Sequence, residues 1–179
     1  MATWFAFLRG INLGRRQIKM AELKTCLEAV GFADIKTVVA SGNVRFSGEG
    51  KGEAIKARME AAIEAQFGFA VGVVLRSEAE LKAMLDSRPF ASLDPKADAT
   101  RHVLMSDGPL PKGITLHGMP GDTEIFRIDT RDLYVVGYRR PNGRYTEGVE
   151  DALKPLYARL GKDHLDTMRN WNTIEKMLA

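Results

Sequence analysis

The sequence predicts an α+β protein built from two small halves. One phrase occurs twice in the first half: residues 28–33 (Glu-Ala-Val-Gly-Phe-Ala) and residues 65–70 (Ala-Gln-Phe-Gly-Phe-Ala) each end a helical pattern at a glycine and lead into a β-rich segment. The apolar patterns order this half as strand, helix, strand, strand, helix, strand. That order is typical of the ferredoxin-like fold, or α/β plait, in which both helices cover one face of an antiparallel sheet. We therefore expect two ferredoxin-like halves, the second of them permuted or degraded.

Apolar spacing and glycine positions define the elements of the first half. Strands are predicted over 3–9, 35–40, 44–47 and 71–75, and helices over 20–30 and 53–67. Met20, Leu23 and Leu27 share one side of the first helix. Gly31 supplies the left-handed residue that ends this helix, and Gly68 does the same for the second. A positive φ angle is expected at both glycines.

The second half is less regular. Its predicted elements are strands over 101–106, 124–128 and 133–138 and helices over 77–85, 149–160 and 167–178. Ser77 is the expected N-cap of the first of these helices, and Glu80 completes a capping box. The predicted boundary lies near Arg76, which gives an N-terminal ferredoxin-like half over 1–76 and a C-terminal α+β half with a closing helix over 77–179.

Composition excludes several classes of protein. Cys26 is the only cysteine, so an internal disulfide is impossible and a reducing compartment is expected. No stretch approaches the roughly 20 apolar residues of a membrane span, so we expect a cytoplasmic protein without a membrane partner. Residues 1–76 carry 11 Lys and Arg against 7 Asp and Glu, whereas residues 77–179 carry 15 against 16. The positive bias of the first half favours an anionic partner, although an ordinary solvated surface has a similar composition.

Residues for metal, thiol or cofactor chemistry are scarce. His102, His117 and His164 are far apart in the sequence and show no metal-ligand spacing. Cys26 adjoins Leu27 on the apolar side of the first predicted helix, which favours a place in the core. The sequence contains no Walker loop, nucleophile elbow or dinucleotide glycine pattern. It therefore predicts neither a metal nor a cofactor.

The loop over 9–19 is the strongest candidate for a ligand site. Its candidate ligand residues are Arg9, Asn12, Arg15, Arg16 and Lys19. The loop joins a strand to a helix start, where main-chain N–H groups and the helix dipole favour an anion. The helix start also lacks a Ser, Thr, Asp or Asn cap, which leaves these donors unoccupied. The alternative interpretation is a basic surface loop whose N–H groups bind water.

A second candidate lies between two predicted strands of the first half. Ser41 and Asn43 flank Gly42, and this composition is typical of a turn. The segment is either an ordinary hairpin turn or a ligand contact, and the sequence leaves both interpretations open.

A third candidate lies on the predicted closing helix. Arg169, Asn172 and Thr173 share one face of this helix, which is either solvated or in contact with a ligand or with the first half. Trp171 belongs to the apolar stripe of the same helix. We expect Trp171 to be a packing anchor rather than a platform for stacking a ligand.

Three segments of the chain resemble the bacterial family known as domain of unknown function 1697. They are Phe-Leu-Arg-Gly-Ile-Asn-Leu-Gly at 7–14 followed by Ile-Lys-Met at 18–20, Ser-Gly-Asn-Val at 41–44, and Arg-Asn-Trp-Asn-Thr at 169–173. The resemblance implies a bacterial origin and two ferredoxin-like halves, and it implies no activity. Residues 141–147 (Pro-Asn-Gly-Arg-Tyr-Thr-Glu) depart from the family pattern of a proline, a glycine stretch and a Ser-Lys-Leu run. The role of this segment is therefore open.

Two classes of function remain open at this point. The first is a binding protein for a phosphate-bearing ligand, either a nucleotide-like small molecule or nucleic acid. RNA-recognition modules share the plait, and Phe5 and Phe7 on the first strand suggest such a platform, although Asn43 and Arg45 replace the aromatic residues expected on the third strand. The second is a metal-independent enzyme that acts on a small polar substrate through loop residues between the two halves. The sequence indicates no oligomeric state.

Overall fold

The chain forms two compact units. The structure is a computed structural model that describes residues 1–39, 42–144 and 148–179. The first unit comprises Met1–Met84 and Thr173–Ala179, and the second comprises Leu85–Asn172. Residues 77–84 and 173–179, assigned from the sequence to the second half, thus belong to the first unit. The fold is of the α+β class, because each unit has its own four-stranded antiparallel sheet.

The first unit follows the predicted order of elements closely. Its elements are β1 (Ala2–Leu8), α1 (Met20–Ala29), β2 (Ala33–Thr37), β3 (Asn43–Gly48), α2 (Gly52–Phe67), β4 (Val73–Ser77) and α3 (Glu78–Asp86, whose last two residues belong to the second unit). The strands lie in the order β2-β3-β1-β4, and all neighbours are antiparallel. Leu23 of α1 and Met59 of α2 pack into one core with Phe46 of the sheet. This burial of apolar side chains between helices and sheet stabilises the unit.

Glycines end both core helices of the first unit, as predicted. Gly31 has a φ angle of +92° and Gly68 a φ angle of +81°. After α1, the N–H of Gly31 donates to the carbonyl of Glu28 (3.1 Å) and the N–H of Phe32 to that of Leu27 (3.2 Å). This pair of hydrogen bonds is the Schellman motif, which satisfies carbonyls that the helix itself leaves unpaired.

The second unit repeats the strand order of the first. Its elements are β5 (Ala99–Ser106), β6 (Thr123–Ile128), β7 (Asp132–Tyr138), α4 (Val149–Leu160), β8 (Asp166–Asn170) and the start of α5 (Trp171–Leu178). The strands lie in the order β6-β7-β5-β8, again antiparallel throughout. Residues 107–122, in the place of α1, contain no helix. The shared strand order means that the second unit is not permuted. It differs from the first unit because residues 107–122 do not form the counterpart of α1.

Matching hydrogen bonds show that the two sheets are built alike at the end where β1 and β5 stop. The N–H of Leu8, the last residue of β1, donates to the carbonyl of Gly42 (2.9 Å). The N–H of Ser106, the last residue of β5, donates to the carbonyl of Arg131 (2.8 Å). Gly42 immediately precedes β3, and Arg131 immediately precedes β7. The two bonds therefore join equivalent positions.

The residue after each of these strands makes a second matching bond. The N–H of Arg9 donates to the carbonyl of Gly72 (2.9 Å), and the N–H of Asp107 donates to that of Leu165 (2.9 Å). Gly72 and Leu165 each precede the last strand of their sheet. The connection after β5 is thus equivalent in position to the connection after β1.

The helix that follows β4 begins with the predicted capping box. The N–H of Ser77 donates to a carboxylate oxygen of Glu80 (2.7 Å), and the N–H of Glu80 donates to the hydroxyl of Ser77 (3.2 Å). The corresponding helix after β8 begins in a similar way, because the N–H of Asn172 donates to the side-chain oxygen of Asn170 (2.9 Å). Both side-chain caps satisfy N–H groups that a helix start leaves without partners.

The predicted closing helix over 167–178 is wrong in its first part. Residues 166–170 form β8, and only Trp171–Leu178 is helical. β8 pairs with β5, so that Thr167 lies opposite Met105 and Arg169 opposite Val103. Sheet pairing over long sequence distances overrides a local helical pattern. α4, by contrast, has the predicted bounds.

No helix in the described parts of the chain combines the length and apolar character needed to cross a membrane.

Candidate functional site

The loop between β1 and α1 has a fixed backbone. Gly10, Asn12 and Gly14 all have positive φ angles, of +70°, +58° and +56°. The N–H of Asn12 donates to the carbonyl of Arg16 (2.6 Å), and its side-chain oxygen accepts the N–H of Ile18 (3.0 Å). Asparagine tolerates the left-handed conformation better than other side chains. Asn12 therefore shapes the loop through hydrogen bonds within it.

Arg16 ties this loop to the segment that leads into β4. Its guanidinium group donates to the carbonyl of Ala70 and lies 5.1 Å from the centre of the Phe69 ring. An arginine above an aromatic face is stabilised by the electrostatic field of the ring. Arg16 is half-buried as a result, and the structure assigns it a role in holding two loops together.

Three other basic side chains of the loop are exposed: those of Arg9, Arg15 and Lys19. Lys19 is the N-cap of α1, and no side chain caps the helix there. The first main-chain bond of the helix runs from Leu23 to Lys19 (3.0 Å), so the N–H groups before Leu23 have no acceptor within the helix. Glu22 places one negative charge in the first turn. The predicted uncapped helix start is therefore confirmed.

The turn before β3 packs directly against this loop. Gly42 has a φ angle of +80°, and a side chain there would lie 2.8 Å from Cδ1 of Ile11 and 2.9 Å from Cβ of Leu8. Asn43 is 98% buried, since its exposed fraction is 2%, and its amide donates to the carbonyl of Val38 (3.1 Å). Glycine at 42 permits the close approach, and Asn43 holds the turn. Ser41 lies outside the described residues.

The first unit thus brings two of the three predicted groups together. Because β1 ends where β3 and β4 begin, the loop over 9–19 and the turn before β3 lie at the same end of the sheet. We name this surface the loop end of the first unit, and its predicted site residues are Arg9, Asn12, Arg15, Arg16, Lys19 and Asn43. Its backbone is accessible at Gly14, where an added side chain would meet no atom within 4 Å.

The third predicted group does not form one helical face. Arg169 lies on β8, whereas Asn172 and Thr173 lie on α5. Asn172 accepts a hydrogen bond from the guanidinium group of Arg101 at 2.5 Å. Burial lowers the pKa of Arg169 to about 10, and the residue is still a cation at neutral pH. Arg101 carried no signal in the sequence, since its pairing with Asn172 depends on strand and helix positions that are remote in the chain.

Trp171 is the predicted packing anchor. Only 4% of Trp171 is exposed, and its ring lies 5.5 Å from that of Phe90 and 5.7 Å from that of Tyr134, both edge to face. Edge-to-face aromatic pairs stabilise a core beyond the area that they bury. This prediction is confirmed.

The first strand offers no stacking platform of the kind found in RNA-recognition modules. Phe5 and Phe7 are both fully buried. The guanidinium group of Arg45 lies 5.9 Å from the centre of the Phe5 ring. Base stacking needs exposed aromatic faces, so neither phenylalanine can serve it in this conformation.

Cys26 lies in the core, as predicted. Its thiol is buried and donates to the carbonyl of Ala62 at 3.4 Å, and burial raises the pKa of the thiol. A thiol whose pKa is raised is a poor nucleophile at neutral pH. Within residues 1–39, 42–144 and 148–179, no group of three His, Cys, Asp or Glu side chains is arranged to hold a metal ion.

Two comparisons relate the chain to known proteins. The family model described as "Protein of unknown function (DUF1697)" matches residues 1–134, so the chain belongs to this family. A conserved bacterial protein from Streptococcus pneumoniae has the same fold, with a TM-score of 0.71 and 19% sequence identity over 99% of this chain and 96% of that protein. Comparison with curated proteins gives no match.

Proposed function

We propose that this member of the DUF1697 family binds a phosphate-bearing anion at the loop end of the first unit. The observation that carries the proposal is the succession of exposed Arg9, Arg15 and Lys19 before a helix start without a side-chain cap. Helix starts bind anions through unpaired N–H groups and the positive end of the helix dipole. Cations on the same loop add long-range attraction. The ligand class is a nucleotide-like small molecule or, as the second possibility, nucleic acid.

We further propose that both units are ferredoxin-like plaits, in a protein that is bacterial and cytoplasmic. The shared strand orders β2-β3-β1-β4 and β6-β7-β5-β8 support the plait. The structural likeness to a streptococcal protein supports the bacterial origin. A single buried cysteine supports a reducing compartment.

A small ligand fits the site better than single-stranded nucleic acid. Sequence-tolerant binding of single strands depends on aromatic side chains that stack successive bases. Phe5 and Phe7, the residues of β1 that a stacking platform would use, are fully buried. The loop end offers cations and main-chain donors, which are the groups that recognise a phosphate itself.

Direct titration separates the proposed site from the rest of the basic surface. The probes are inorganic pyrophosphate, adenosine monophosphate and a short single-stranded RNA, and the readout is calorimetry. Arg15→Ala combined with Lys19→Ala removes two charge-assisted contacts, and we expect at least about tenfold weaker binding of pyrophosphate. Lys51→Ala is the matched control, because Lys51 is the exposed N-cap of α2, which also lacks a side-chain cap. Equal binding by all three proteins would reject the site.

Glu22 gives a second test with the opposite sign. Its carboxylate lies in the first turn of α1, where it competes with a bound anion for the positive end of the helix. Glu22→Gln should strengthen pyrophosphate binding by roughly two- to fivefold, since removing one nearby charge changes the free energy by about 0.3–1 kcal/mol. Weaker binding by this variant would contradict an anion site at the start of α1.

A further inference from the structure

The second unit has no helix in the connection that corresponds to the one between β1 and α1. In the first unit, the chain leaves β1 through the loop over 9–19 and enters α1. In the second unit, the chain leaves β5 at an equivalent position, but residues 107–122 form no helix. The matching main-chain bonds of Arg9 and Asp107 fix this equivalence. The connection after β5 therefore replaces a packed helix by irregular chain.

A cavity of about 520 Å³ lies in this connection. One wall is formed by residues 109–114 and the other by residues 128–130, the end of β6 and the turn that follows it. The N–H of Leu110 donates to the carbonyl of Thr130 (2.7 Å), which ties the two walls together. The volume lies within the range of small-molecule sites, about 300–1,000 Å³.

The lining of the cavity exposes apolar and polar surface in similar amounts, and its apolar side chains lie next to the core of the second unit. Leu110 is 5% exposed, and Ile114 and Ile128 are partly buried against the same core. The side chains of Lys112 and Thr130 are exposed at the cavity. Apolar side chains beside a charged side chain suit a small organic ligand that has an apolar body and one charged group.

Among the described residues of the lining, the charged ones are one cation, Lys112, and one anion, Asp129. Asp129 also lines the cavity, but its carboxylate accepts a hydrogen bond from Arg127 at 2.8 Å. None of the residues that the structure describes bonds to the ammonium group of Lys112. The neutralisation of Asp129 by Arg127 leaves Lys112 as the group that selects the charge of a ligand.

We propose that this cavity binds a small amphipathic anion, with an apolar body against Leu110, Ile114 and Ile128 and a terminal carboxylate or phosphate at Lys112. This site is separate from the loop end of the first unit. It does not depend on the function proposed there, because it uses different residues.

Three probes of equal length test the chemistry of the site: hexanoate, hexanol and hexylamine. The readout is the shift of main-chain amide signals of the isotope-labelled full chain in nuclear magnetic resonance. We expect hexanoate to shift the signals of Gly113 and Thr130 with a dissociation constant of about 1–10 mM, as befits so small a ligand. Hexanol should bind several-fold more weakly, and hexylamine most weakly. The reverse order of hexanoate and hexylamine would overturn the proposal.

Two variants locate the binding. Lys112→Met should weaken hexanoate three- to tenfold and leave hexanol unchanged, whereas the control Lys96→Met, at another exposed lysine, should change neither. Ile114→Trp fills the cavity from a partly buried position and should weaken both probes. The amide spectrum itself reports whether each variant is folded. Absence of shifts at Gly113 and Thr130 up to about 50 mM hexanoate would also overturn the proposal.

Discussion

Arg76 and Arg169 occupy the same position in the two units. Each is the fourth residue of the last strand of its sheet, and they lie opposite Phe5 and Val103, three residues before the end of the partner strand. Arg76 is 1% exposed, and Arg169 is partly buried. A capping residue and a helix follow each arginine directly. With the shared strand order, this relationship indicates that both units are variants of one structural repeat.

The capping box of α3 predicts that substitutions of its two residues have coupled effects on stability. Ser77→Ala and Glu80→Ala each remove one of two reciprocal bonds, and each should lower the free energy of unfolding by about 1 kcal/mol. The double variant should lose less than the sum of the two, because either change disturbs the same helix start. Urea unfolding of the four proteins measures the coupling. Strict additivity would contradict a reciprocal box.

Asp122 predicts a loss of stability in acid. Its carboxylate accepts hydrogen bonds from the Thr123 hydroxyl (2.7 Å), the Gly148 N–H (2.7 Å) and the Arg140 guanidinium group. These bonds, first that of Thr123, hold the pKa of Asp122 below its ordinary value despite its burial. Because the pKa of Asp122 is lower in the folded protein than in the unfolded chain, its ionised carboxylate stabilises the fold above a pH of about 3.9, the pKa of an aspartate in an unfolded chain. This stability is lost as the pH falls through the pKa of the folded protein.

Asp122→Asn should therefore lower the free energy of unfolding by about 2–4 kcal/mol at neutral pH, because three donors lose a charged acceptor. The difference between the two proteins should shrink as the pH falls below about 4. Thermal unfolding across pH 2–7 measures it. Asp151→Asn is a control at an exposed ion pair with Lys154, and it should change stability little. A difference that grows in acid would contradict the sign.

We expect a side chain at Gly42 to lower the free energy of unfolding by more than the left-handed backbone alone explains. Gly42 and Gly68 have nearly the same φ angle, +80° and +81°, but a side chain has open space only at Gly68. Gly68→Ala should cost about 1–2 kcal/mol for the left-handed backbone. Gly42→Ala should cost about 1–3 kcal/mol more, because Cβ of Leu8 cannot move away. Equal losses in urea unfolding would show that the loop and the turn are not closely packed.

We expect substitution of Cys26 to change the stability of the protein and not its ligand binding. Cys26→Ala should lower the free energy of unfolding by roughly 1 kcal/mol through lost packing, and it should leave ligand binding unchanged. A second check is to alkylate the thiol in the unfolded protein and then to refold the protein. Calorimetric titration with pyrophosphate then compares the alkylated and the untreated protein. Loss of binding in a folded Cys26→Ala variant would reveal a thiol function.

Local signals in the sequence predicted the first unit well. The glycine stops at Gly31 and Gly68 and the Ser77 cap act within a few residues, so the sequence alone carries them. β8 was missed because its pairing with β5 joins residues 60 to 68 positions apart, while its local pattern is typical of a helix. Residues 107–122 contain three prolines and four glycines, a composition that fits the absence of a helix there. The cavity could not be predicted because it is lined by two segments that are separate in the sequence.

Within the candidate site, the types of residue were predictable but their roles were not. Asn12 and Arg16 were candidates for a ligand contact, and Asn43 was a candidate for either a turn or a ligand contact. In the structure, Asn12 bonds to a main-chain N–H of its own loop, and Arg16 and Asn43 bond to main-chain carbonyls of Ala70 and Val38. Such roles depend on which carbonyl lies near each side chain after folding. Arg15 and Lys19 remain exposed, and they carry the proposal of an anion site.

The most direct test of the central claim is to map a pyrophosphate titration onto the main-chain amides by nuclear magnetic resonance. An anion at the start of α1 accepts hydrogen bonds from N–H groups that the helix leaves unpaired. We expect saturable shifts that are largest at Met20, Ala21 and Glu22, with smaller shifts at Gly14, and little change at the equally uncapped start of α2 after Lys51. Shifts of equal size at both helix starts, or none at α1, would contradict an anion site at the start of α1.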